Sequence, residues 1–90
     1  MVEFLVESYV ATVEQAELHT RRAREVAEVL TFEGTPVRFL RSIFVAEDET
    51  CFYLYESPSV DGVREAARRA DLSFESVSEA LTELGNEEPR

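Results

Sequence analysis

The sequence has no lysine and no tryptophan, only one cysteine and one histidine, and three residues each of glycine and proline. A single cysteine excludes a disulfide within the chain. A single histidine falls short of the two or more nitrogen or sulfur ligands that Ni²⁺ and Zn²⁺ sites usually have. No apolar run approaches the roughly 18 residues that a membrane span needs, and no basic leader opens the chain. We therefore expect a cytoplasmic protein.

Acidic side chains outnumber basic ones by 19 to nine, so the chain carries a formal net charge of −10. A surface of that sign repels phosphate backbones and anionic headgroups, which argues against nucleic acid and membranes as partners. A domain of 90 residues buries only roughly two-thirds of the surface of its unfolded chain. We predict a single domain over residues 1–84 and a disordered tail over residues 85–90. A second copy of the chain would add to the small core.

Two runs rich in β-branched and aromatic residues, 37–45 and 51–56, flank a short polar stretch. This pattern predicts a β-hairpin with its loop at residues 47–50, in which Phe44 pairs with Tyr53. Both sides of the hairpin carry apolar side chains. A sheet that is covered on one side only has polar residues on its other side, so the pattern indicates helices on one face and another apolar partner on the opposite face.

Periodicity and capping residues predict the remaining elements. Residues 2–9 alternate as a strand. Thr12 followed by Gln15 is a capping box that begins a helix, and Gly34 with the proline after it ends that helix. Ser59 begins a second helix.

The order of these elements predicts the fold. Residues 74–84 fit a helix or a strand by pattern alone. With a final strand there, the chain has the order βαββαβ. That order indicates an α+β, ferredoxin-like fold, in which two helices cover one face of a four-stranded antiparallel sheet.

Several blocks of the sequence are similar to those of a known family; among them are Phe4-Leu5-Val6-Glu7, Pro36-Val37-Arg38-Phe39-Leu40 and Glu56-Ser57-Pro58-Ser59. The chain thereby resembles a family of small, ferredoxin-like bacterial domains of unknown function that includes a dimeric nickel-binding protein. The resemblance implies a homodimer, a nickel ion as cofactor and a strand over residues 77–81. Many relatives have a histidine in the second helix where this sequence has Ala66, so we predict no metal-ligating residue.

Four other groups of polar residues are candidates for chemistry, and the sequence favours a structural role for each. His19 has no second imidazole beside it. Cys51 lies at a strand start with no base on its side of the sheet. The acidic run 47–49 lacks the spaced ligands and the glycine of a calcium loop. The arginines of the second helix balance nearby acids; they are Arg64, Arg68 and Arg69. We therefore predict no catalytic residue.

The sheet face opposite the helices is the strongest candidate for a binding surface. Strand alternation places on it four residues that we predict to bind a ligand, with apolar neighbours that include Leu5, Leu40 and Phe44. The four are Glu7, Arg38, Tyr53 and Tyr55. Such an apolar patch marks an interface or a ligand site, and these polar groups suit a small-molecule pocket. A plain dimer interface fits equally well, because interfaces are enriched in aromatic residues and arginine.

Two functional hypotheses follow. The first is a homodimeric binding protein without enzymatic activity that holds a small ligand or a metal ion, nickel by the resemblance. The second is a cofactor-free dimeric α/β-barrel enzyme, an isomerase or monooxygenase, that acts on a small aromatic or keto acid. The enzyme would need Glu7 as a base whose pKa is raised by burial, whereas the binding protein needs only two or three ligands at a rim. We favour the binding protein.

Overall fold

The structure is a computed structural model that describes residues 1–81. Its strands and helices are β1 (Val2–Tyr9), α1 (Val13–Phe32), β2 (Arg38–Val45), β3 (Thr50–Ser57), α2 (Val60–Arg69) and β4 (Phe74–Ala80). β4 is a strand where the pattern alone allowed a helix. The predicted tail over residues 85–90 lies outside the described residues.

The four strands form one antiparallel sheet in the order β2-β3-β1-β4. Helices α1 and α2 pack on one face of this sheet and on each other. This arrangement confirms the predicted ferredoxin-like α+β fold. Within residues 1–81, neither helix combines the length and the apolar character that crossing a membrane requires.

Both ends of α1 follow from a few residues. Thr12 Oγ1 accepts a hydrogen bond from the backbone N–H of Gln15 at 3.2 Å, and the Gln15 side chain accepts one from the N–H just before Thr12 at 3.3 Å. This confirms the predicted cap. At the other end Gly34 has a φ of 110°, and the N–H of Thr35 bonds the carbonyl of Leu30 at 2.8 Å. Together these form a Schellman motif, for which glycine is favoured.

The β2–β3 hairpin turns one residue earlier in the chain than the sequence predicts. Val45 pairs with Thr50, and the reversal is completed by Glu49, whose φ of 48° is left-handed. Tyr53 consequently pairs with Ser42 and not with the predicted residue two positions later. The predicted register is therefore wrong by two residues, because the 3₁₀ turn Ala46–Asp48 brings the chain back earlier than an open loop would.

Small side chains bring the helices close to the sheet. The alanines that face the sheet are buried; they are Ala16, Ala23, Ala27, Ala66, Ala67 and Ala70. They pack with the larger residues of the strands in one core cluster. Gly62 continues this close approach, since a Cβ at that position would lie 2.8 Å from Ser57 Oγ. Arg22 of α1 donates to the carbonyl of Ala70 at 3.1 Å and so joins the two helices.

Candidate functional site

An apolar strip crosses the sheet face that the helices leave uncovered, which we call the open face. Cross-strand partners share a face, and the pairs Leu5↔Leu54 and Ile43↔Phe52 lie on this one. Leu54 is only 6% exposed, Ile43 is 48% exposed, and the other two are half-buried. A sheet face that meets water usually carries polar residues. The open face does carry apolar residues, as the sequence predicts, but of the strip only Leu5 is among the residues on which that prediction rested.

Charged residues border the apolar strip. Arg38 Nη1 lies 3.4 Å from Glu56 Oε1, in a pair that solvent reaches. The hydroxyl of Ser76 donates to Glu7 Oε1 at 3.3 Å, and Arg41 stands opposite Leu54. Glu7 and Arg38 therefore lie on the open face, as the sequence predicts.

The two tyrosines of the predicted site lie on the other side of the sheet. Tyr53 pairs with Val6 and Tyr55 with Phe4, and both tyrosines are 0% exposed beneath the helices. The prediction that they share a face with the other two site residues is wrong. Residues 51–55 are apolar at every position, so alternation alone did not identify the buried side of β3.

A β-bulge changes the faces of β2 as well. The register shifts between Phe39 and Arg41, which inverts the alternation beyond that point. Ser42 therefore faces α1, where its hydroxyl accepts a hydrogen bond from Thr20 Oγ1 at 2.8 Å. Phe44 lies on the same side, opposite the buried Cys51. The sequence placed Phe44 on the open face, and this placement is wrong.

Cys51, Tyr53 and His19 form a partly polar cluster under α1. The hydroxyl of Tyr53 lies 3.5 Å from His19 Nδ1. Burial raises the pKa of the Cys51 thiol and of the Tyr53 phenol, and burial together with the charge of Arg22 lowers the pKa of His19. Each group is thereby held in its neutral form. The prediction that Cys51 has no base on its side of the sheet is wrong, because Cys51 shares the helix side with His19. A neutral buried thiol is a poor nucleophile, which still favours a structural role.

The described residues of one chain do not fit a nickel site. Among residues 1–81 there is no group of three or more histidine, cysteine, aspartate or glutamate side chains placed to hold a metal ion. The acidic turn is engaged locally, because the Tyr9 hydroxyl donates to the Glu49 carboxylate and this hydrogen bond raises the pKa of Tyr9.

The arginines at the end of α2 balance acids. Glu65 contacts Arg68 Nη2 at 2.6 Å and Arg69 Nε at 3.0 Å, and Arg69 Nη1 also reaches Glu33 at 3.1 Å. Hydrogen bonds from Arg68 and Arg69 lower the pKa of Glu65. The predicted role of these two arginines is confirmed.

Comparison with known proteins supplies a family. The model of a family described as nickel responsive protein SCO4226-like matches residues 4–80. The crystal structure of SCO4226 from Streptomyces coelicolor A3(2) superposes with a TM-score of 0.63 at 18% sequence identity, covering 87% of this chain and 94% of that one. At that identity the superposition supports the shared fold. No curated protein is significantly similar to the chain.

Proposed function

We propose, from the premise that this chain belongs to the SCO4226-like family of nickel-responsive proteins, that it is a homodimeric binding protein without enzymatic activity. In this proposal two copies join through their open faces. The apolar strip on the open face is the observation that carries the proposal.

The composition of the strip and its exposure to solvent support a dimer. Leu5, Phe52 and Ile43 keep part of their apolar surface in contact with water in a single copy, and a contiguous exposed apolar patch marks an interaction site. A chain of 90 residues has a small core, so a second sheet packed on the first would bury this surface in each copy. Arginine and glutamate side chains at the border of the strip offer opposite charges across a two-fold axis.

The family description supports nickel as a ligand, and the donors in the chain limit where the ion would bind. One chain offers no group of three donors within residues 1–81. A nickel site formed by this part of the protein would therefore need donors from a second copy. Metal binding would then depend on dimer formation.

The enzyme hypothesis loses its structural support. It required Glu7, Arg38 and two tyrosines in one cleft, and the sheet separates the tyrosines from the other two residues. Ligand binding by Glu7 and Arg38 on the open face stays a prediction.

The oligomeric state tests the proposal. We expect sedimentation of the wild-type chain at tens of micromolar to give a dimer. Ile43→Asp places a charge in the apolar strip and should raise the dissociation constant at least about tenfold. Val29→Asp on α1 is the matched control, because Val29 is 49% exposed and Ile43 is 48% exposed. A monomeric wild type, or equal effects of the two substitutions, would contradict the proposed interface.

Nickel binding is tested separately by calorimetry. Wild-type protein and Val29→Asp should both release or absorb heat on titration with Ni²⁺, whereas the monomeric Ile43→Asp variant should not. Absence of heat with the wild type would refute the nickel function and leave the dimer standing.

A further inference from the structure

A groove between α1 and the edge strand β2 is distinct from the open face, although Arg38 borders both. It has a volume of about 610 Å³ and is bordered by residues of both elements and by the first residue of the chain. Ligand pockets typically measure about 300 to 1,000 Å³. The groove is therefore large enough for a small organic molecule.

The floor of the groove is apolar, and two apolar side chains stand at its rim. Phe39, Val37 and Ala27 form the buried floor. At the rim, Phe32 is 92% exposed and Met1 is 67% exposed. An almost fully exposed phenylalanine beside a buried aromatic floor gives an apolar ligand a surface on more than one side.

Arg24 supplies a positive charge over this floor. Its guanidinium carbon lies 4.9 Å from the centroid of the Phe39 ring, within the range of a cation–π contact. Arg68 and Arg69 on α2 are both paired with acids, whereas Arg24 makes no ion pair with any residue in the described range. Glu28 also borders the groove and forms no ion pair with Arg24. Other arginines in the described range, among them Arg21 and Arg41, also form no ion pair, and Arg24 is the one of these that borders the groove.

We propose that this groove binds a small organic carboxylate with an apolar body. The carboxylate would accept hydrogen bonds from the Arg24 guanidinium, whose planar donors match its two oxygens. The apolar body would lie on Phe39 between Phe32 and Val37. Arg38 at the same border adds a second positive charge, although it is shared with Glu56.

Titration with 2-naphthoate, and with the neutral 2-naphthamide of the same shape, tests the proposed carboxylate site. Amide NMR signals of the protein report the binding of each compound. Naphthoate should shift the signals of Arg24, Val37 and Phe39 and bind about tenfold more tightly than naphthamide, which is the effect of one charge-assisted pair. Arg24→Gln should lower the affinity for naphthoate to that for naphthamide and leave the affinity for naphthamide unchanged. The control Arg64→Gln, which alters an exposed arginine of α2, should change neither.

A second variant examines the apolar wall. Phe32→Ser should weaken both compounds by a similar factor, and because this side chain is 92% exposed, it should not unfold the protein. Equal binding of acid and amide, shifts confined to the open face, or no effect of Arg24→Gln would overturn the proposal. Groove signals that move with protein concentration before any compound is added would also overturn it, since a second copy would then occupy the groove.

Discussion

The hydroxyl of Tyr55 is buried and has no hydrogen-bond partner within the part of the chain that the structure describes. Its ring packs edge-on against Phe39 with the centroids 5.4 Å apart. Burial raises the pKa of Tyr55, so the phenol stays neutral. The ring stabilises the core, whereas the unpaired hydroxyl costs free energy.

We therefore predict that Tyr55→Phe raises the free energy of unfolding by about 1 kcal/mol, since it removes an unsatisfied polar group and leaves the ring in place. Urea unfolding measures the change. The control is Ser57→Ala, which removes a hydroxyl that donates to the carbonyl of Pro36 at 2.9 Å and should cost about 1 kcal/mol. A loss of stability in Tyr55→Phe would show that its hydroxyl is hydrogen-bonded.

His19 should make stability depend on pH near neutrality. Its pKa in the folded protein lies below the ordinary 6.5, first because of burial and then because of Arg22. As the pH falls below about 6.5, the unfolded chain therefore takes up a proton more readily than the folded one, and the free energy of unfolding decreases. The contribution of His19 is fully present above that pH.

Unfolding in urea between about pH 7.5 and pH 5.5 checks this sign. His19→Gln keeps a polar group near Tyr53 and should flatten the profile, because the chain has no other histidine. If the free energy of unfolding depended on pH as steeply in His19→Gln as in the wild type, groups other than His19 would cause the dependence.

At the scale of whole elements, most of the fold could be predicted from the sequence. The capping residues Thr12 and Gly34 act at the ends of α1 as predicted. The buried and exposed faces of β3 could not be predicted, because a strand that is apolar over residues 51–55 has no polar side to show which face meets solvent. The bulge after Phe39 could not be predicted either, because no proline or glycine marks it in the sequence. The groove under Arg24 forms where α1 packs beside β2. Local sequence periodicity does not show how two such elements pack on each other.

The end of α2 carries a strained residue. Asp71 has a φ of 61°, and the N–H after it, from Leu72, bonds the carbonyl of Ala67 at 3.0 Å. This is the same Schellman motif that ends α1, with aspartate at the position where Gly34 stands in the first helix. A negative charge at a helix C-terminus is also unfavourable.

We predict that Asp71→Gly raises the free energy of unfolding by about 1 kcal/mol, because glycine adopts this conformation without strain. Thermal and urea unfolding measure the gain. Gly34→Ala is the converse control and should lose stability, since Gly34 has a φ of 110°. A destabilised Asp71→Gly would mean that the carboxylate makes a contact worth more than the strain.

For the whole molecule, charge is the dominant feature. A net charge of −10 on 90 residues makes each copy repel itself and its neighbour. The ion pairs that offset this repulsion join exposed or half-exposed side chains and contribute little each.

Raising the ionic strength from about 0.02 M to about 0.2 M should therefore raise the melting temperature, since salt shortens the screening length to about 10 Å or less. Differential scanning calorimetry gives the shift, and sodium and potassium chloride should act alike if screening is the cause. A melting temperature that falls with salt would show that local ion pairs outweigh the repulsion between like charges.

The position of β1 has a consequence for the order of folding. This first strand lies at the centre of the sheet and pairs with β3 and with β4, which follow it in the chain only after α1 and after α2. During translation β1 therefore has no partner strand until β3 has been synthesised, and its second edge stays unpaired until β4 follows. Such distant pairing slows folding and exposes a nascent chain to aggregation, so the ribosome and its chaperones are the setting in which this small protein is most vulnerable.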